Sequence, residues 1–259
     1  MNPMVFTPDE LILLFHTYLW PFLRLSAMLL AAPIFSYSSI SIRVRVLLAV
    51  LVSALVAPLL PATPVVEPLS ALGLVLALRE VAIGLVMGFV MQLVFAAVVV
   101  AGHSVAMSMG LGFAMAVDPQ NGVQVPVVSQ LNVVLATLLF LAIDGHLMLI
   151  TAVVDSFELI PVGSGFSPEG MFSNVAALGT QLFASALLLA LPVLTAILMI
   201  NVAFGVITRA APQLNIFAVG FPVTIIAGFV YMLLALPMFI STLQRFLSLG
   251  LEQTLLVLG

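Results

Sequence analysis

Six long apolar segments, separated by short polar or proline-rich links, make up most of the sequence. They lie at about residues 11–32, 46–60, 69–101, 127–143, 175–204 and 217–243. Most of them approach or exceed the roughly 20 residues that a helix needs to cross a bilayer. The pattern predicts an all-α, polytopic membrane protein of about six long, kinked hydrophobic helices connected as hairpins, of which the two longest could each be broken. A short amphipathic tail, residues 244–259, is expected to follow the last helix.

Composition supports this class and excludes several others. Hydrophobic residues make up 64% of the chain and charged residues only 6%, and the mean hydropathy is +1.36. Globular domains carry about a quarter charged residues, so lipid or other protein must surround most of this chain. All six basic residues are arginines, too few to favour binding to nucleic acid. Without cysteine there is no disulfide or thiolate metal site, and without a positive N-terminal region the first apolar segment is expected to be retained.

Charged residues inside two apolar segments point to helices that pack within protein. Arg24 lies in the first segment, and a cation within a span costs at least about 2.5 kcal/mol unless it faces protein or water. It either packs inside an assembly or snorkels near a kink. The pair Arg79-Glu80 interrupts the third segment, which is either one tilted helix or a short interfacial helix followed by a span. Gly84 and Gly88 place two small residues on one face of that segment, where another backbone can approach closely.

The stretch from residue 102 to 122, GHSVAMSMGLGFAMAVDPQNG, differs from every other link. Its methionines (Met107, Met109 and Met115) are interleaved with glycines and followed by Asp118-Pro119. Glycine gives backbone freedom, and the unbranched thioether of methionine adapts to irregular neighbours. Two interpretations are open: a segment that lines or blocks a passage and rearranges, or a core-packed connection between two helices.

Candidate catalytic and metal-binding residues are sparse. His16, His103 and His146 are far apart and lack the spacing of a metal-binding motif. Asp144 beside His146 could form a proton relay, but we favour a helix break at which both satisfy exposed backbone groups. The sequence therefore predicts no enzyme, catalytic residue, cofactor or metal site.

A second polar cluster occupies the link between the last two apolar segments. It contains Arg209, Pro212, Gln213 and Asn215. A bare hairpin needs only glycine, asparagine or proline, so this density of polar groups favours docking to neighbours. The alternative is a solvated turn that caps two helices.

This cluster also carries a resemblance to a known family. Residues 209–222, RAAPQLNIFAVGFP, resemble the signature of the FliR family of flagellar type III export proteins and of their injectisome relatives, the SctT family. The similarity extends over nearly the whole chain, through Arg24 with residues 32–34, residues 80–88, residues 109–112 with 118–119, and residues 145–161.

The resemblance implies a non-enzymatic structural subunit of an export gate. Family members assemble with the partners FliP and FliQ into a helical hetero-oligomer, with FlhB and FlhA associated, through which unfolded flagellar substrates pass. This gate lies in the inner membrane at the centre of the flagellar basal body, partly raised out of the bilayer, and other proteins supply the energy. Residues 1–174 would resemble FliP and residues 175–259 FliQ, with a boundary in the loop at 155–174.

The resemblance also implies roles for individual residues. The family's pore plug corresponds to the stretch described above, here Met107, Met109, Gly110, Leu111, Gly112, Phe113, Met115, Asp118 and Pro119. Subunit packing and assembly would involve Arg24, Glu80, Gly84, Gly88, Arg209, Pro212, Gln213 and Asn215. Lipid is the remaining expected partner.

Alternative functions are separated by specific features. The first alternative is a virulence injectisome subunit, which can be distinguished from a flagellar one only by overall sequence similarity. A small-solute secondary transporter would show inverted repeats and paired intramembrane charges, which are not evident, and an intramembrane enzyme is a distant third. With six spans, Arg43, Arg45 and Arg209 would place both termini outside the cytoplasm. Burial of the helices against partners would weaken that prediction.

Overall fold

A computed structural model of the chain describes residues 8–37, 40–61, 64–67, 70–112, 127–164, 168–210 and 216–258. Over these residues it contains seven α-helices, one short 3-10 turn and no strand, which confirms the predicted all-α class. The helices are α1 (Pro8–Ala31), α2 (Ile42–Val56, followed by the turn Ala57–Leu59), α3 (Ala71–Ser108), α4 (Val127–Ala142), α5 (Gly145–Leu159), α6 (Pro168–Ala210) and α7 (Ile216–Leu256).

Four of the described helical stretches are long and apolar enough to cross a membrane. They are Ile42–Leu59, Ala71–Ser108, Gly170–Ala210 and Val219–Leu256. The bent pair α4 and α5, with an angle of 64° between them, makes a fifth if it is counted as one span. The chain is therefore a membrane protein with four or five candidate spans among the described residues. The orientation derived from six spans stays a prediction.

The three longest helices continue without a break through the prolines and charged residues at which the sequence leaves a break open. α6 contains Pro192, and α7 contains Pro222 and Pro237, without ending at any of them. Proline removes one backbone hydrogen bond, a loss that neighbouring groups in membrane helices can offset. α3 is one helix of 38 residues through Arg79-Glu80. At about 1.5 Å per residue it is about 57 Å long, well beyond a hydrocarbon core of about 30 Å.

Several predicted boundaries are corrected. The expected loop at 155–174 is shorter, because α5 continues to Leu159 and α6 begins at Pro168. The expected tail at 244–259 is largely the end of α7. Between α4 and α5 the chain turns at Asp144, which has φ +57° and makes no capping hydrogen bond with its side chain. The expected helix break is therefore present, but the Asp144 side chain does not cap it; the Asp144 carbonyl oxygen accepts from the amides of Leu147 and Met148.

The helices contribute to two compact units. The first contains Met1–Leu93, Asp144–Leu178 and Leu249–Gly259, and the second contains Val94–Ile143 and Gly179–Ser248. Each unit takes segments from both sides of residue 174. The predicted division at that residue is based on resemblance to the partner proteins FliP and FliQ, whereas these units are defined by compactness. The predicted division therefore stays a prediction.

Candidate functional sites: a buried ion pair and a helix-ending turn

Arg24 of α1 and Glu80 of α3 form an ion pair inside the first unit. The Nη2 atom of Arg24 lies 2.6 Å from Oε2 of Glu80, and Nε donates to the same oxygen at 2.7 Å. Both side chains are fully buried. Two charges can remain in such an interior only when they are paired and hydrogen-bonded. Arg24 therefore packs within this chain and does not snorkel to a surface.

The remaining donors of Arg24 bind α5. Nη1 donates to Oγ of Ser156 at 2.8 Å, and Nη2 donates to the carbonyl oxygen of Ile160 at 3.1 Å. The guanidinium carbon lies 3.7 Å from the centre of the Phe157 ring, within cation–π range. One side chain thus joins α1, α3 and the end of α5. No local pattern marks Ser156, Phe157 or Ile160 as partners of Arg24; their segment contributes only to the family resemblance.

Two glycines allow α1 and α3 to approach closely enough for this pair. A Cβ atom on Gly84 would collide with the backbone carbonyl of Arg24 and lie 2.9 Å from Cβ of Ala27. On Gly88 it would lie 2.6 Å from Cβ of Ala31 and 2.7 Å from the carbonyl oxygen of Met28. The four-residue spacing stacks both glycines on one face, as in small-residue membrane contacts. This contact is within the chain, and a role of these glycines between subunits stays a prediction.

Arg79, the neighbour of Glu80, binds the segment that follows α5. Its guanidinium donates to the carbonyl oxygen of Ser164, to Oγ of Ser164 at 3.0 Å and to the carbonyl oxygen of Pro161 at 3.4 Å. Two consecutive residues of α3 therefore position α5 and the segment that follows it in different ways. Glu80 does so through Arg24, and Arg79 does so directly.

In the second unit, α3 ends in a Schellman motif at the beginning of the glycine–methionine stretch. The amide of Leu111 donates to the carbonyl oxygen of Ala106 at 3.1 Å, and that of Gly110 donates to Met107 at 3.0 Å. Gly110 has φ +86°, the left-handed conformation that this motif requires. The first residues of the stretch thus continue α3 and then leave it in a defined direction.

This turn packs against α7. Met109 is fully buried, and its carbonyl oxygen lies 3.4 Å from the Thr224 hydroxyl, which also donates to Phe221 at 2.9 Å. A Cβ atom on Gly228 would lie 2.7–2.9 Å from three side-chain atoms of Met109. A Cβ atom on Gly110 would lie 2.7 Å from the Phe221 ring. By contrast, the side chain of Met107 is half exposed.

The structure places the other predicted residues as follows. Arg209 is exposed in the last turn of α6, where a cation complements the helix dipole. Leu111 completes the Schellman motif, and Gly112 follows it. The remaining predicted residues lie outside the described ranges; these are Phe113, Met115, Asp118, Pro119, Pro212, Gln213 and Asn215.

The histidines form no shared site among the residues that the structure describes, where no cluster suited to a metal ion occurs. His16 is buried, with Nδ1 2.7 Å from the carbonyl oxygen of Ile12 and Nε2 against that of Val66. These contacts tie α1 to the segment before α3.

The geometry defines an all-helical membrane protein held together by a buried ion pair, small-residue contacts and a glycine-dependent turn. Residues 15–249 match the family described as bacterial export proteins, family 1, and the chain belongs to this family. It is 39% identical over 232 residues to flagellar biosynthetic protein FliR of Escherichia coli K12, covering 90% of this chain and 88% of that protein. The protein of the same name from Pectobacterium carotovorum is 41% identical over 223 residues, covering 85% and 84%.

A more distant relative matches over an even larger share of both chains. Flagellar biosynthetic protein FliR of Bacillus subtilis 168 is 27% identical over 247 residues, covering 94% of this chain and 95% of that protein. The resemblance drawn from the sequence motifs is therefore confirmed. The chain is a membrane component of flagellar protein export.

Proposed function

We propose that the chain is a non-enzymatic channel subunit of the flagellar export gate, which forms the pore for unfolded flagellar substrates together with FliP and FliQ. FlhB and FlhA would be neighbours at the centre of the basal body in the inner membrane, where the gate is partly raised out of the bilayer. The match to the export family over residues 15–249 carries this proposal. In this assignment, residues 1–174 correspond to FliP and residues 175–259 to FliQ.

The exposure of the long helices supports an assembled subunit. Only 33% of the most apolar window of α6, and 11% of that of α7, is buried within the chain. Leu187, Leu188 and Leu198 of α6 are more than half exposed, as are Leu233 and Leu234 of α7. Apolar surface on this scale has to be covered by lipid or by other helices. Partner subunits that pack along these two helices would cover it.

The second part of the proposal concerns closure of the pore. Residues 107–122 would close the channel at rest, with Met107, Gly110 and Gly112 at their beginning. A pore that passes many unfolded chains cannot select by side chain, yet it must hold back ions when idle. Methionine and glycine suit such a closure because both adapt their shape to what they contact.

Assembly is tested by the native mass of the tagged protein, purified in mild detergent after co-expression with FliP and FliQ. We expect one large complex that contains all three proteins. Arg209→Ala and Asn215→Ala are expected to lower its yield and motility, whereas Arg43→Ala, a matched exposed arginine on α2, leaves both unchanged. A monodisperse protein that ignores both partners would reject the subunit assignment.

Closure is tested by deleting residues 110–117 and reconstituting the purified complex in planar bilayers. The deletion is expected to leave the native mass unchanged and to raise the resting ion conductance severalfold. The undeleted complex is the control on the same bilayers. Unchanged conductance in an intact complex would contradict the plug.

A further inference from the structure

We propose that α7 positions the channel-closing segment through a latch formed by Met109, Gly110, Phe221, Thr224 and Gly228. The inference rests on the proposed function, because it concerns how the segment after Gly112 is held. Met109 and Gly228 are the positioning residues at its centre. The latch lies entirely within the second compact unit.

The buried face of α7 in this unit identifies the latch. From residue 219 to 248, α7 is buried only at Gly220, Thr224, Gly228, Leu243 and Leu247. The first three follow a four-residue spacing, which places small residues on one helix face. Thr224 and Gly228 contact Met109. The first half of α7 is therefore buried mainly where the end of α3 contacts it.

The central contact depends on shape. The side chain of Met109 occupies the space that a Cβ atom on Gly228 would need, with Cγ and Cε at 2.7 Å and Sδ at 2.9 Å from that position. Any residue larger than glycine must displace Met109, and Cγ lies too near the backbone to swing away alone. A weak hydrogen bond from Thr224 at 3.4 Å accompanies the packing. Such a contact holds the Met109 side chain in place, yet the two helices can move apart there without exposing a charge.

The Schellman motif links this contact to the backbone of Gly110 and Leu111. The backbone of residues 109–111 is hydrogen-bonded to the last turn of α3, and the Phe221 ring lies directly against Gly110. The direction in which the chain leaves α3 is therefore fixed jointly by α3 and α7. A displacement of α7 along α3 must change either this turn or the packing of Met109.

An apolar cavity next to the latch gives such a displacement room. Its volume is about 210 Å³, and it lies among α3, α4, α6 and α7. Its lining includes Val105, one turn before Met109, and Phe229 and Met232, which follow Gly228. Well-packed interiors resist movement, whereas a space of this size can accept a displaced methionine side chain.

The first test replaces Gly228 by leucine and measures resting conductance of the reconstituted complex. Gly228→Leu is expected to displace Met109 and raise the conductance severalfold at unchanged native mass. Gly205→Leu is the matched control, because a Cβ atom on Gly205 of α6 has no neighbour within 4 Å. Equal conductance in the two variants would overturn the proposal.

The second test uses the absence of cysteine from the chain. The Cγ atom of Met109 lies 2.7 Å from the Cβ position of Gly228, and the Cβ atom of Met109 is one bond away from that Cγ atom. In the double variant Met109→Cys with Gly228→Cys, the two Cβ atoms are therefore close enough for a disulfide, whose Cβ atoms are about 3.5–4.5 Å apart. Oxidation is expected to cross-link the assembled protein and stop export, and reduction to restore it. The natural chain, which has no cysteine, is the control and should export under both conditions.

Two results would overturn the latch: failure of the pair to cross-link in the intact complex, or full export by the cross-linked protein. Either result is compatible with the proposed plug if the deletion of residues 110–117 still raises the resting conductance. If that deletion changes nothing, the proposed function fails first, whatever the cysteine pair does.

Discussion

The two candidate sites join helices by opposite means. In the first unit, Arg24 makes charged hydrogen bonds to Glu80 and further bonds to α5, in a fully buried environment. In the second unit, Met109 rests against Gly228 with one weak hydrogen bond nearby. Directional charged bonds allow one arrangement, whereas a flexible side chain against a glycine allows several. The first unit is therefore built as a fixed scaffold, and the second contains the contact suited to rearrangement.

The difference also sets how each site responds to damage. Removal of one partner of a buried ion pair leaves an uncompensated charge, a loss of about 3–5 kcal/mol. Changes to apolar packing cost less, about 1–3 kcal/mol when a core is overpacked. We expect substitutions in the first unit to lower the amount of folded protein, and substitutions at the latch to alter the channel.

The largest effect is expected from Arg24→Met. It leaves Glu80 as an unpaired buried carboxylate whose Oε1 already has no partner among the described residues. Folded, protease-resistant protein in detergent should fall sharply, consistent with a loss of about 3–5 kcal/mol. Arg43→Met removes an exposed arginine and should have no effect. The double variant Arg24→Met with Glu80→Leu should recover part of the loss, and a double variant as damaged as the single one would contradict the ion-pair account.

A smaller effect is expected from Gly84→Ala. The added Cβ atom would collide with the backbone carbonyl of Arg24, which cannot move aside as a side chain could. Separation of α1 from α3 should cost about 1–3 kcal/mol, measured as a lower thermal unfolding midpoint of the purified protein. Gly170→Ala, in the same unit, meets nothing within 4 Å and is the control. Equal midpoints for the two variants would show that α1 and α3 do not need this close approach.

The smallest effect on stability is expected from Gly110→Ala. Alanine in the left-handed conformation costs about 1–2 kcal/mol, and its Cβ atom also meets the Phe221 ring. We expect a small decrease in the unfolding midpoint together with raised resting conductance. Gly110→Asn tolerates this backbone conformation better but keeps the Cβ contact with Phe221, so it should lower the midpoint less than alanine and still raise the conductance. Stability loss without any change in conductance would contradict a link between this turn and closure.

Local patterns predicted the helices, but the contacts of the sites were not accessible from the sequence. The apolar runs located most of the helices because periodicity and length depend on neighbouring residues. The partners of Arg24 lie 56, 132 and 136 residues away, so no local pattern links them. Gly84 and Gly88 were found because their spacing itself places them on one face.

The latch was hidden for a similar reason. Met107 and Met109 look alike in the sequence, yet one is half exposed and the other buried. Gly228 was not singled out, because a glycine inside an apolar helix does not reveal what occupies the space beside it. Only the packing of α7 against the end of α3 distinguishes these residues.

Hydrogen–deuterium exchange of the assembled complex, compared between the natural chain and Gly228→Leu, tests the contrast between scaffold and latch most directly. Peptides covering residues 76–91 of α3 report on the scaffold, and peptides covering residues 105–112 report on the latch. Faster exchange in the Gly228→Leu complex at residues 105–112 alone, with residues 76–91 unchanged, is the predicted result. Equal acceleration in both regions, or none at residues 105–112, would contradict the account.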